Sequence, residues 1–441
     1  MKTYAMKEIN NELYVGEVAL SKLAKEHPTP LYVYDEAGIE DKINQFQTHF
    51  VSNHFVCETV YASKAFLAPY LCDMLQKAGF WIDAVSLGDL YLIKKSRFPI
   101  ERVVFHGNNK SDEELKMAID DHVGLIVVDN LNELKRLIKL VEKVKVPVRT
   151  LFRVNPGISA HTHAYIETAL LSSKFGESIY DFDKMKEIAK LYQSTPNLQL
   201  LGFHAHIGSQ INTPSSFTKS AKTMLDFVEK FQNETSLKVS VLNLGGGFGI
   251  KYLDSDQEIN LPIMLKKLVK TVEKTIKDKP IHLDMLMIEP GRSIVGDSGF
   301  TLYRCGGVKH TFGGKNYLFI DGGMADNIRP ALYQAKYTVN VANRFHQEIN
   351  NDTPCYDVVG KCCESGDIIA KDVKISAVQE GDTMIVFSTG AYCYSMSMNY
   401  NGLTRGEVVF VKDHQVKVVI AKESLDHLVS TCVFGGPHEN L

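Results

Sequence analysis

The stretch Thr59-Val60-Tyr61-Ala62-Ser63-Lys64-Ala65 is an apolar, β-prone segment that ends in a lysine and is followed by a helical pattern. Lys64 therefore stands at the carboxyl end of a predicted strand, where α/β folds place their functional side chains. Taken alone, Lys64 is typical of a solvated lysine that closes a strand. The alternative is a lysine that forms a Schiff base with a carbonyl cofactor, and the rest of the chain decides between the two interpretations.

Seven further apolar strand candidates follow this stretch and alternate with helical patterns such as Ser111–Asp120, whose Ser111-Asp112-Glu113-Glu114 start carries a cap residue and an acidic third position. Repeats of about 20–25 residues predict a (β/α)8 barrel rather than an open sheet. The gap at 155–197 is longer and needs an inserted loop as well as a helix. The strand candidates are Thr59–Ser63, Phe80–Val85, Arg102–His106, Gly124–Asp129, Val148–Val154, Leu200–Ile207, Val239–Leu244 and Leu283–Glu289.

The chain after Gly291 differs in kind, because short β-like runs are separated there by glycine-rich turns and the βα repeat is lost. This pattern predicts a second, mostly β domain. The runs are Asn316–Ile320, Tyr337–Val341, Tyr356–Val359, Asp372–Ala377, Thr383–Phe387 and Gly406–Ile420.

Length and composition agree with two globular domains. The chain has 441 residues, of which 44% are hydrophobic and 23% charged. A net charge of -3 gives no electrostatic argument for binding nucleic acid or an anionic membrane. The amino-terminal segment has no apolar signal core, and no later apolar run is long enough to span a bilayer, so we expect a cytoplasmic protein.

The cysteines favour neither a metal cluster nor a disulfide framework. The eight cysteines are scattered, and no pair has C-x-x-C spacing, so no metal ligand is assigned. Vicinal Cys362-Cys363 is the one grouping among them.

Functional-looking polar residues follow the predicted strands at their carboxyl ends, which share one rim of a barrel. These are Lys64, His106-Gly107-Asn108-Asn109, the His204–Ser209 run, Gly245-Gly246-Gly247 and Glu289-Pro290-Gly291-Arg292.

Two of these groups suit a phosphate. Glycines at 245, 246 and 247 let backbone N–H groups approach an anion closely, although a tight turn alone would also explain them. Arg292, on the next strand end, would add a fixed positive charge.

His206 and Glu289 suit a flat, protonated ring. His204 and His206 occupy alternate strand positions and point to opposite sides, so the pair should not share a metal. A single imidazole stacked over a ring suits His206, with a core histidine as the alternative. Glu289 near the core requires a partner, and a protonated pyridine nitrogen would provide one. Together with Lys64, these residues describe a site for pyridoxal 5′-phosphate (PLP).

The chain resembles the fold-type III PLP-dependent decarboxylases, and within them the diaminopimelate decarboxylase branch. Ornithine and arginine decarboxylases share the cofactor motifs, whereas R-P-A-L-Y and a glutamate after the cysteine are more specific to the diaminopimelate branch. The motifs are Y-A-S-K-A-F at 61–66, F-H-G-N-N-K-S at 105–111, S-K-F-G at 173–176, H-A-H-I-G-S-Q at 204–210, G-G-G-F-G-I at 245–250, E-P-G-R-S at 289–293, D-G-G-M-A-D-N-I-R-P-A-L-Y at 321–333, C-E-S-G-D at 363–367 and G-A-Y-C-Y-S-M-S-M-N-Y-N at 390–401.

The resemblance implies an alanine-racemase-like (β/α)8 TIM barrel over residues 36–290. A C-terminal β-barrel or β-sandwich domain over residues 291–441 would follow, and residues 1–35 would join it through their strand. The resemblance also implies a homodimer with active sites shared across the interface.

Roles for single residues follow from the same resemblance. Lys64 would hold PLP, His206 would stack on its ring, and Glu289 would contact the pyridine nitrogen. Cys363 would be the general acid and, with Glu364, would reach the active site of the other subunit. The residues implied around the phosphate are Ser209, Gly247, Gly291, Arg292 and Tyr392, and Gly245 and Gly246 are counted with them as cofactor-binding. Those implied around the substrate are Arg292, Arg329, Tyr333, Glu364 and Tyr392.

The substrate implied is meso-2,6-diaminopimelate, decarboxylated to L-lysine and CO2 in the last step of lysine biosynthesis. Its second carboxylate would need Arg329, since a guanidinium binds a carboxylate bidentately. A surface or interface ion pair is the alternative role for Arg329. Cys393 and Met398 depart from the family motif and receive no polar role, and Cys362 is expected to be a small packing residue.

Three other functions stay open at this point. One is a decarboxylase for ornithine, arginine or a D-amino acid. A second is an alanine racemase, although that fold pairs the pyridine nitrogen with arginine rather than with a carboxylate. A third is a catalytically dead regulatory binder, against which the retention of Lys64 and Cys363 argues.

Overall fold

The computed structural model describes residues 1–158, 172–345, 349–350, 352–375 and 378–433. The β-strands in these ranges are β1 (Met6–Ile9), β2 (Glu12–Val15), β3 (Val18–Ala19), β4 (Leu31–Asp35), β5 (Val56–Tyr61), β6 (Trp81–Ala84), β7 (Val103–Phe105), β8 (Leu125–Val128), β9 (Val148–Asn155), β10 (Glu177–Ser178), β11 (Leu198–His204), β12 (Val241–Asn243), β13 (Met285–Ile288), β14 (Gly299–His310), β15 (Asn316–Ile320), β16 (Val339–Val341), β17 (Cys355–Val359), β18 (Ile368–Lys374), β19 (Thr383–Val386), β20 (Glu407–Lys412) and β21 (Gln415–Ile420).

Several helices begin at recognisable cap residues. The predicted start at Ser111 is confirmed as a capping box, because its side chain accepts the Glu114 N–H while the Glu114 carboxylate accepts the Ser111 N–H at 2.7 Å. The α-helices in the same ranges are α1 (Leu20–Glu26), α2 (Glu36–His49), α3 (Pro69–Lys77), α4 (Leu87–Lys95), α5 (Asp112–Asp120), α6 (Leu131–Val141), α7 (Phe182–Gln193), α8 (Pro214–Thr235), α9 (Leu261–Lys277), α10 (Arg292–Val295), α11 (Arg329–Tyr333) and α12 (Leu425–Val429).

Residues 40–251 and 257–294 form one compact unit, the barrel unit. Eight parallel strands run in the order β9-β11-β12-β13-β5-β6-β7-β8, and pairing of β8 with β9 closes the ring. Apolar side chains from these strands, such as Val60, Val104 and Leu151, fill its core. The predicted (β/α)8 barrel is confirmed, and the eight strand candidates correspond to its eight strands.

The region between β9 and β11 contains the short strand β10 and helix α7, so the predicted helix is present. Residues 159–171 of the expected insertion lie outside the described residues. Strand β11 ends at His204 and not at Ile207 as predicted, which places His206 in the loop that follows. The chain turns there at Gly208, whose φ of +139° suits glycine.

Residues 1–39, 252–256 and 295–441 form a second compact unit, the β unit. Its large sheet runs in the order β18-β17-β15-β14-β4-β20-β21, and β19 adds to β14 and to β16. Strand β4 pairs antiparallel with β14 and parallel with β20, so the amino-terminal strand joins this sheet as predicted. The fold class is therefore confirmed, while the domain boundaries at 35/36 and 290/291 stay predictions.

Three details of the β unit differ from the sequence prediction. In place of the predicted run Asp372–Ala377 the strand is β18, Ile368–Lys374, and residues 376–377 of that run lie outside the described residues. The long central strand β14 was not predicted, and the paired glycines Gly306 and Gly307 interrupt its apolar pattern. The run Gly406–Ile420 is two strands, β20 and β21, because Asp413 and His414 both have positive φ and form a two-residue hairpin turn.

No helix within the described ranges is long and apolar enough to cross a bilayer.

Gly202 in β11 offers a test of how tightly the barrel strands pack. A Cβ at this position would lie 1.7 Å from the carbonyl oxygen of Val241 on β12, so Gly202→Ala forces the paired strands apart. We expect a destabilisation of about 1–3 kcal/mol, measured as a lower midpoint of thermal or urea unfolding. Gly88→Ala, at an exposed position of α4 where the new Cβ meets only Ser86 Oγ at 3.6 Å, is the control and should be neutral or slightly stabilising. Equal midpoints for both variants would contradict this account of the packing.

Candidate active site

Lys64 lies directly after β5, in a single 3-10 turn over Ser63–Ala65, and its side chain is exposed. The turn is fixed from both sides. The Ala62 N–H donates to the Pro290 carbonyl at 3.0 Å, and the Ser63 N–H donates to Asp83 Oδ1 at 2.6 Å. Lys64 thus projects from the carboxyl end of its strand at a held position, as predicted.

Asp83 is a functional candidate that sequence reasoning missed. It is the third residue of the buried strand β6 and is only 4% exposed. Burial raises the pKa of Asp83 to about 6, although the nearby charge of Lys64 is among the effects that lower it. The available signal was a carboxylate inside an apolar strand, which needs a compensating partner.

Glu289 follows β13 and is the centre of a buried hydrogen-bond network. Asn243 Nδ2 donates to Glu289 Oε1 at 2.8 Å. The Nε2 atoms of His106 and His204 lie 2.8 Å from Oε1 and 3.2 Å from Oε2 respectively. These partners stand at or directly after the ends of β7, β11 and β12, so the network joins the ends of four strands.

This network keeps the Glu289 carboxylate ionised. Burial would raise its pKa, but attraction to His106 and the hydrogen bonds from His106 and His204 outweigh burial and hold the pKa well below the usual range. Burial lowers the pKa of His204 to about 4, so this imidazole is neutral and donates its one proton from Nε2. Its Nδ1 is buried with no hydrogen-bond partner among the described residues, as expected for that tautomer.

The same three side chains have ligand atoms within 4.8 Å of one another, which is close enough for a metal ion. The Nε2 atom of each histidine nevertheless lies at hydrogen-bond distance from a Glu289 carboxylate oxygen, so these nitrogens are already engaged in hydrogen bonds. The arrangement favours an anion that is held for a cationic ligand group.

His206 has partners different from those of His204. Its Nδ1 accepts the N–H of Gly246 at 3.2 Å, which assigns the proton to Nε2 and fixes the ring against the glycine run. Burial is the largest effect that holds the pKa of His206 well below its usual value, and the nearby Lys64 charge acts in the same direction. The ring is therefore a neutral, flat surface at the rim.

The glycine run is required by backbone crowding. Gly247 has a φ of +108°, and a Cβ there would lie 2.2 Å from the Gly208 carbonyl oxygen. A Cβ on Gly246 would lie 2.0 Å from the Glu289 carbonyl oxygen. Beside this run, Arg292 Nη2 donates to Ser209 Oγ at 3.1 Å, so a cation and a hydroxyl meet. A side-chain-free backbone with an adjacent guanidinium fits a phosphate group.

The donor set of the barrel unit as a whole fits PLP. The rim offers a lysine amine, an ionised carboxylate for a protonated ring nitrogen, a neutral imidazole face and a glycine–arginine cradle. The structure brings together, within this unit, the residues that the sequence proposed for the cofactor: Lys64, His206, Ser209, Gly245, Gly246, Gly247, Glu289, Gly291 and Arg292.

Arg329 opens helix α11 in the β unit and is 8% exposed. Its Nη1 donates to the hydroxyls of Tyr252 at 3.0 Å and Tyr337 at 2.8 Å. Both partners are phenols, and no carboxylate among the described residues forms an ion pair with Arg329. Its Nε is buried and has no hydrogen-bond partner within the described ranges. A buried guanidinium with a donor left over is suited to an anionic ligand.

The remaining predicted residues also lie in the β unit. Cys363 and Glu364 are exposed on the loop after β17, where the Cys363 N–H donates to Asn401 Oδ1 at 2.8 Å. Tyr333 ends α11, with its ring centroid 5.9 Å from Arg329 Cζ. Tyr392 takes a strained φ of +63°, and its ring lies 5.8 Å from the same atom. Tyr333 and Tyr392 thus gather at Arg329, whereas Cys363 and Glu364 lie on a separate exposed loop.

Comparison with known proteins agrees with the description of the barrel unit and of the β unit. Residues 36–296 match the family model for the pyridoxal binding domain of pyridoxal-dependent decarboxylases. The chain is 40% identical to a diaminopimelate decarboxylase of Bacillus subtilis over 95% of each chain. It is 39% identical to that of Staphylococcus aureus, over 95% of this chain and 97% of the relative.

A solved structure agrees as well. The diaminopimelate decarboxylase of M. jannaschii in co-complex with L-lysine has a TM-score of 0.89, with 29% identity, covering 98% of this chain and 99% of that one. On the family model and on identity over nearly the full length, this chain belongs to the pyridoxal-dependent decarboxylases and, within them, to the diaminopimelate decarboxylase family.

Proposed function

We propose that the protein decarboxylates meso-2,6-diaminopimelate to L-lysine and CO2 with PLP as its cofactor, the last step of lysine biosynthesis. The observation that supports this substrate best is the buried guanidinium of Arg329, which has a donor left over and no acidic partner among the described residues. A second carboxylate is what separates diaminopimelate from lysine or ornithine, and Arg329 is the group suited to bind it. Relatives named diaminopimelate decarboxylase support the same assignment.

The barrel unit supplies the cofactor site in this proposal. Lys64 would hold the cofactor, the Gly245-Gly246-Gly247 backbone and Arg292 would bind its phosphate, and the neutral ring of His206 would contact its ring. Ionised Glu289 keeps a proton on the ring nitrogen, and its buried network stops that carboxylate from turning away. Bound PLP supplies an electron sink for the carbanion that remains when CO2 leaves. Ser209, Gly291 and Tyr392 complete the phosphate site.

The β unit supplies the substrate contacts and the proton. Arg329 and Tyr333 bind the distal carboxylate together with Arg292, Tyr392 lies beside the substrate, and Glu364 binds the distal ammonium. The Cys363 thiol delivers a proton to the carbon that has lost CO2. Both Cys363 and Glu364 are exposed in the single chain, which suits residues that complete the site of a second copy. A homodimer with shared active sites and a cytoplasmic location belong to the same proposal.

Substrate choice tests the proposed function directly. Meso-diaminopimelate, ornithine, arginine and D-lysine are supplied separately to the PLP-loaded protein, and release of CO2 is measured. We expect release from meso-diaminopimelate alone at a substantial rate, since Arg329 has no ligand in the other three at the distal position. Faster release from ornithine or arginine would overturn the proposal in favour of a diamine-forming decarboxylase.

The proton donor is tested at the vicinal cysteines. Cys363→Ala should lower kcat by about 100-fold or more, the usual contribution of a general acid, while the absorbance of the bound cofactor stays unchanged. Cys362→Ala is the matched control, because that neighbouring side chain is buried against the fold and is given no part in the reaction. Turnover by Cys363→Ala equal to that of the control would remove Cys363 from this role.

A further inference from the structure

The Arg329 guanidinium lies among four tyrosine rings. Its Cζ is 5.5 Å from the ring centroid of Tyr252, 5.8 Å from that of Tyr392, and 5.9 Å from those of Tyr333 and Tyr337. Rings at this distance attract a cation through their faces and limit its freedom to rotate. The guanidinium is therefore held by neutral groups on several sides.

The hydroxyls of Tyr252 and Tyr337 determine the orientation of the guanidinium. Nη1 of Arg329 carries two hydrogens, and it donates to Tyr252 Oη at 3.0 Å and to Tyr337 Oη at 2.8 Å. Both donors of Nη1 are thus committed to the protein. Nε is buried without a partner among the described residues, so the edge formed by Nε and Nη2 is the one left for a bidentate ligand.

Cys393 continues the chain of hydrogen bonds beyond Tyr337. Its Sγ lies 3.8 Å from Tyr337 Oη and 3.7 Å from the carbonyl oxygen of Ala391. Burial is the main effect that raises the pKa of Tyr337 well above its usual value, so the phenol keeps its proton. Because Tyr337 Oη accepts from Arg329, its single hydrogen is available to Sγ, and the thiol hydrogen is available to Ala391.

Tyr252 is fixed independently of Tyr337. It comes from the loop between β12 and α9, where its N–H donates to Asp256 Oδ2 at 2.8 Å. Thr338 Oγ1 donates to the Tyr252 carbonyl at 3.0 Å, which ties this loop to the chain segment after α11. The Tyr252 and Tyr337 rings meet edge to face at 5.4 Å. The two hydroxyls that hold Nη1 are consequently held themselves.

We propose that Tyr252, Tyr337 and Cys393 are positioning residues that orient Arg329 for the distal carboxylate of the substrate. Tyr252 and Tyr337 occupy Nη1 and present the Nε–Nη2 edge, and Cys393 fixes the hydroxyl of Tyr337. The inference rests on the proposed role of Arg329 and adds which residues set its selectivity. It also gives Cys393, a departure from the family motif, a function in this chain.

The test compares two inhibitors that differ only in a carboxylate: the product L-lysine and 1,5-diaminopentane. Tyr337→Phe and Tyr252→Phe should each weaken inhibition by L-lysine about five- to tenfold, the effect of one lost hydrogen bond, and leave inhibition by 1,5-diaminopentane unchanged. KM for meso-diaminopimelate should rise by a similar factor, with kcat within about twofold. Tyr192→Phe, which removes a buried hydroxyl bonded to Thr150 in the barrel unit, is the control and should change neither inhibitor.

Cys393 is tested by loss and rescue. Cys393→Ala should weaken L-lysine inhibition about two- to threefold, because thiol hydrogen bonds are weak, and Cys393→Ser should restore it. Adding Cys393→Ala to Tyr337→Phe should cause no further loss, since the thiol acts through that hydroxyl. Cys305→Ala, which removes a fully buried thiol elsewhere in the β unit, is the control. Additive losses in the double variant, or no rescue by serine, would overturn the part given to Cys393.

Arg329→Lys separates failure of this inference from failure of the proposed function. Loss of the bidentate contact should weaken L-lysine inhibition about 10- to 100-fold and leave 1,5-diaminopentane unaffected. If Arg329→Lys does not change inhibition by L-lysine, the carboxylate role of Arg329 is wrong, and the proposed function is wrong as well. If Arg329→Lys has its effect but both Phe variants match the control, only the positioning role is wrong. Parallel loss of both inhibitors in the Phe variants would indicate general structural damage and would also overturn it.

Discussion

The Glu289 carboxylate is buried and ionised, and the architecture of the barrel rim follows from that requirement. A buried charge costs several kcal/mol unless hydrogen bonds compensate it. Its compensation comes from Asn243, His106 and His204, which stand at the ends of three other strands. A shift of one strand against its neighbours would leave the charge unpaired, so barrel closure and the electrostatics of the site impose the same register.

The sequence predicted the strands and the rim residues because both are local patterns. An apolar run of four to eight residues between helical periods is visible in the chain itself. The partners of Glu289 were not visible in this way, because His106 is 183 residues away and His204 is 85 residues away. Asp83 is visible in the sequence as a carboxylate inside an apolar strand, but its partner, the Ser63 N–H, belongs to a neighbouring strand end and leaves no mark in the local pattern.

The β unit cannot be obtained by cutting the chain into contiguous domains. Residues 252–256, from the loop between β12 and α9, belong to this unit although barrel strands flank them. Sequence reasoning assigned Arg329 to a carboxylate from its motif. It could not find Tyr252, because this residue lies 77 positions away and belongs to no recognised motif. Cys393 was given no role because a single cysteine in a loop has no chemistry until its neighbours are known.

Glu289 and Arg329 are buried ions of opposite sign, and hydrogen bonds hold each of them. The anion of Glu289 accepts hydrogen bonds from two uncharged donors, Asn243 and the neutral ring of His204, and from His106. The cation of Arg329 is held by uncharged acceptors, the hydroxyls of Tyr252 and Tyr337. Neutral partners fix the position of a charge without cancelling it, whereas an acidic partner for Arg329 would compete with the carboxylate of a ligand. Because the full charge of Arg329 is retained, it can contribute a charge-assisted contact to a ligand of opposite sign, and this choice of neutral partners is what makes a buried ion suitable for binding rather than only for folding.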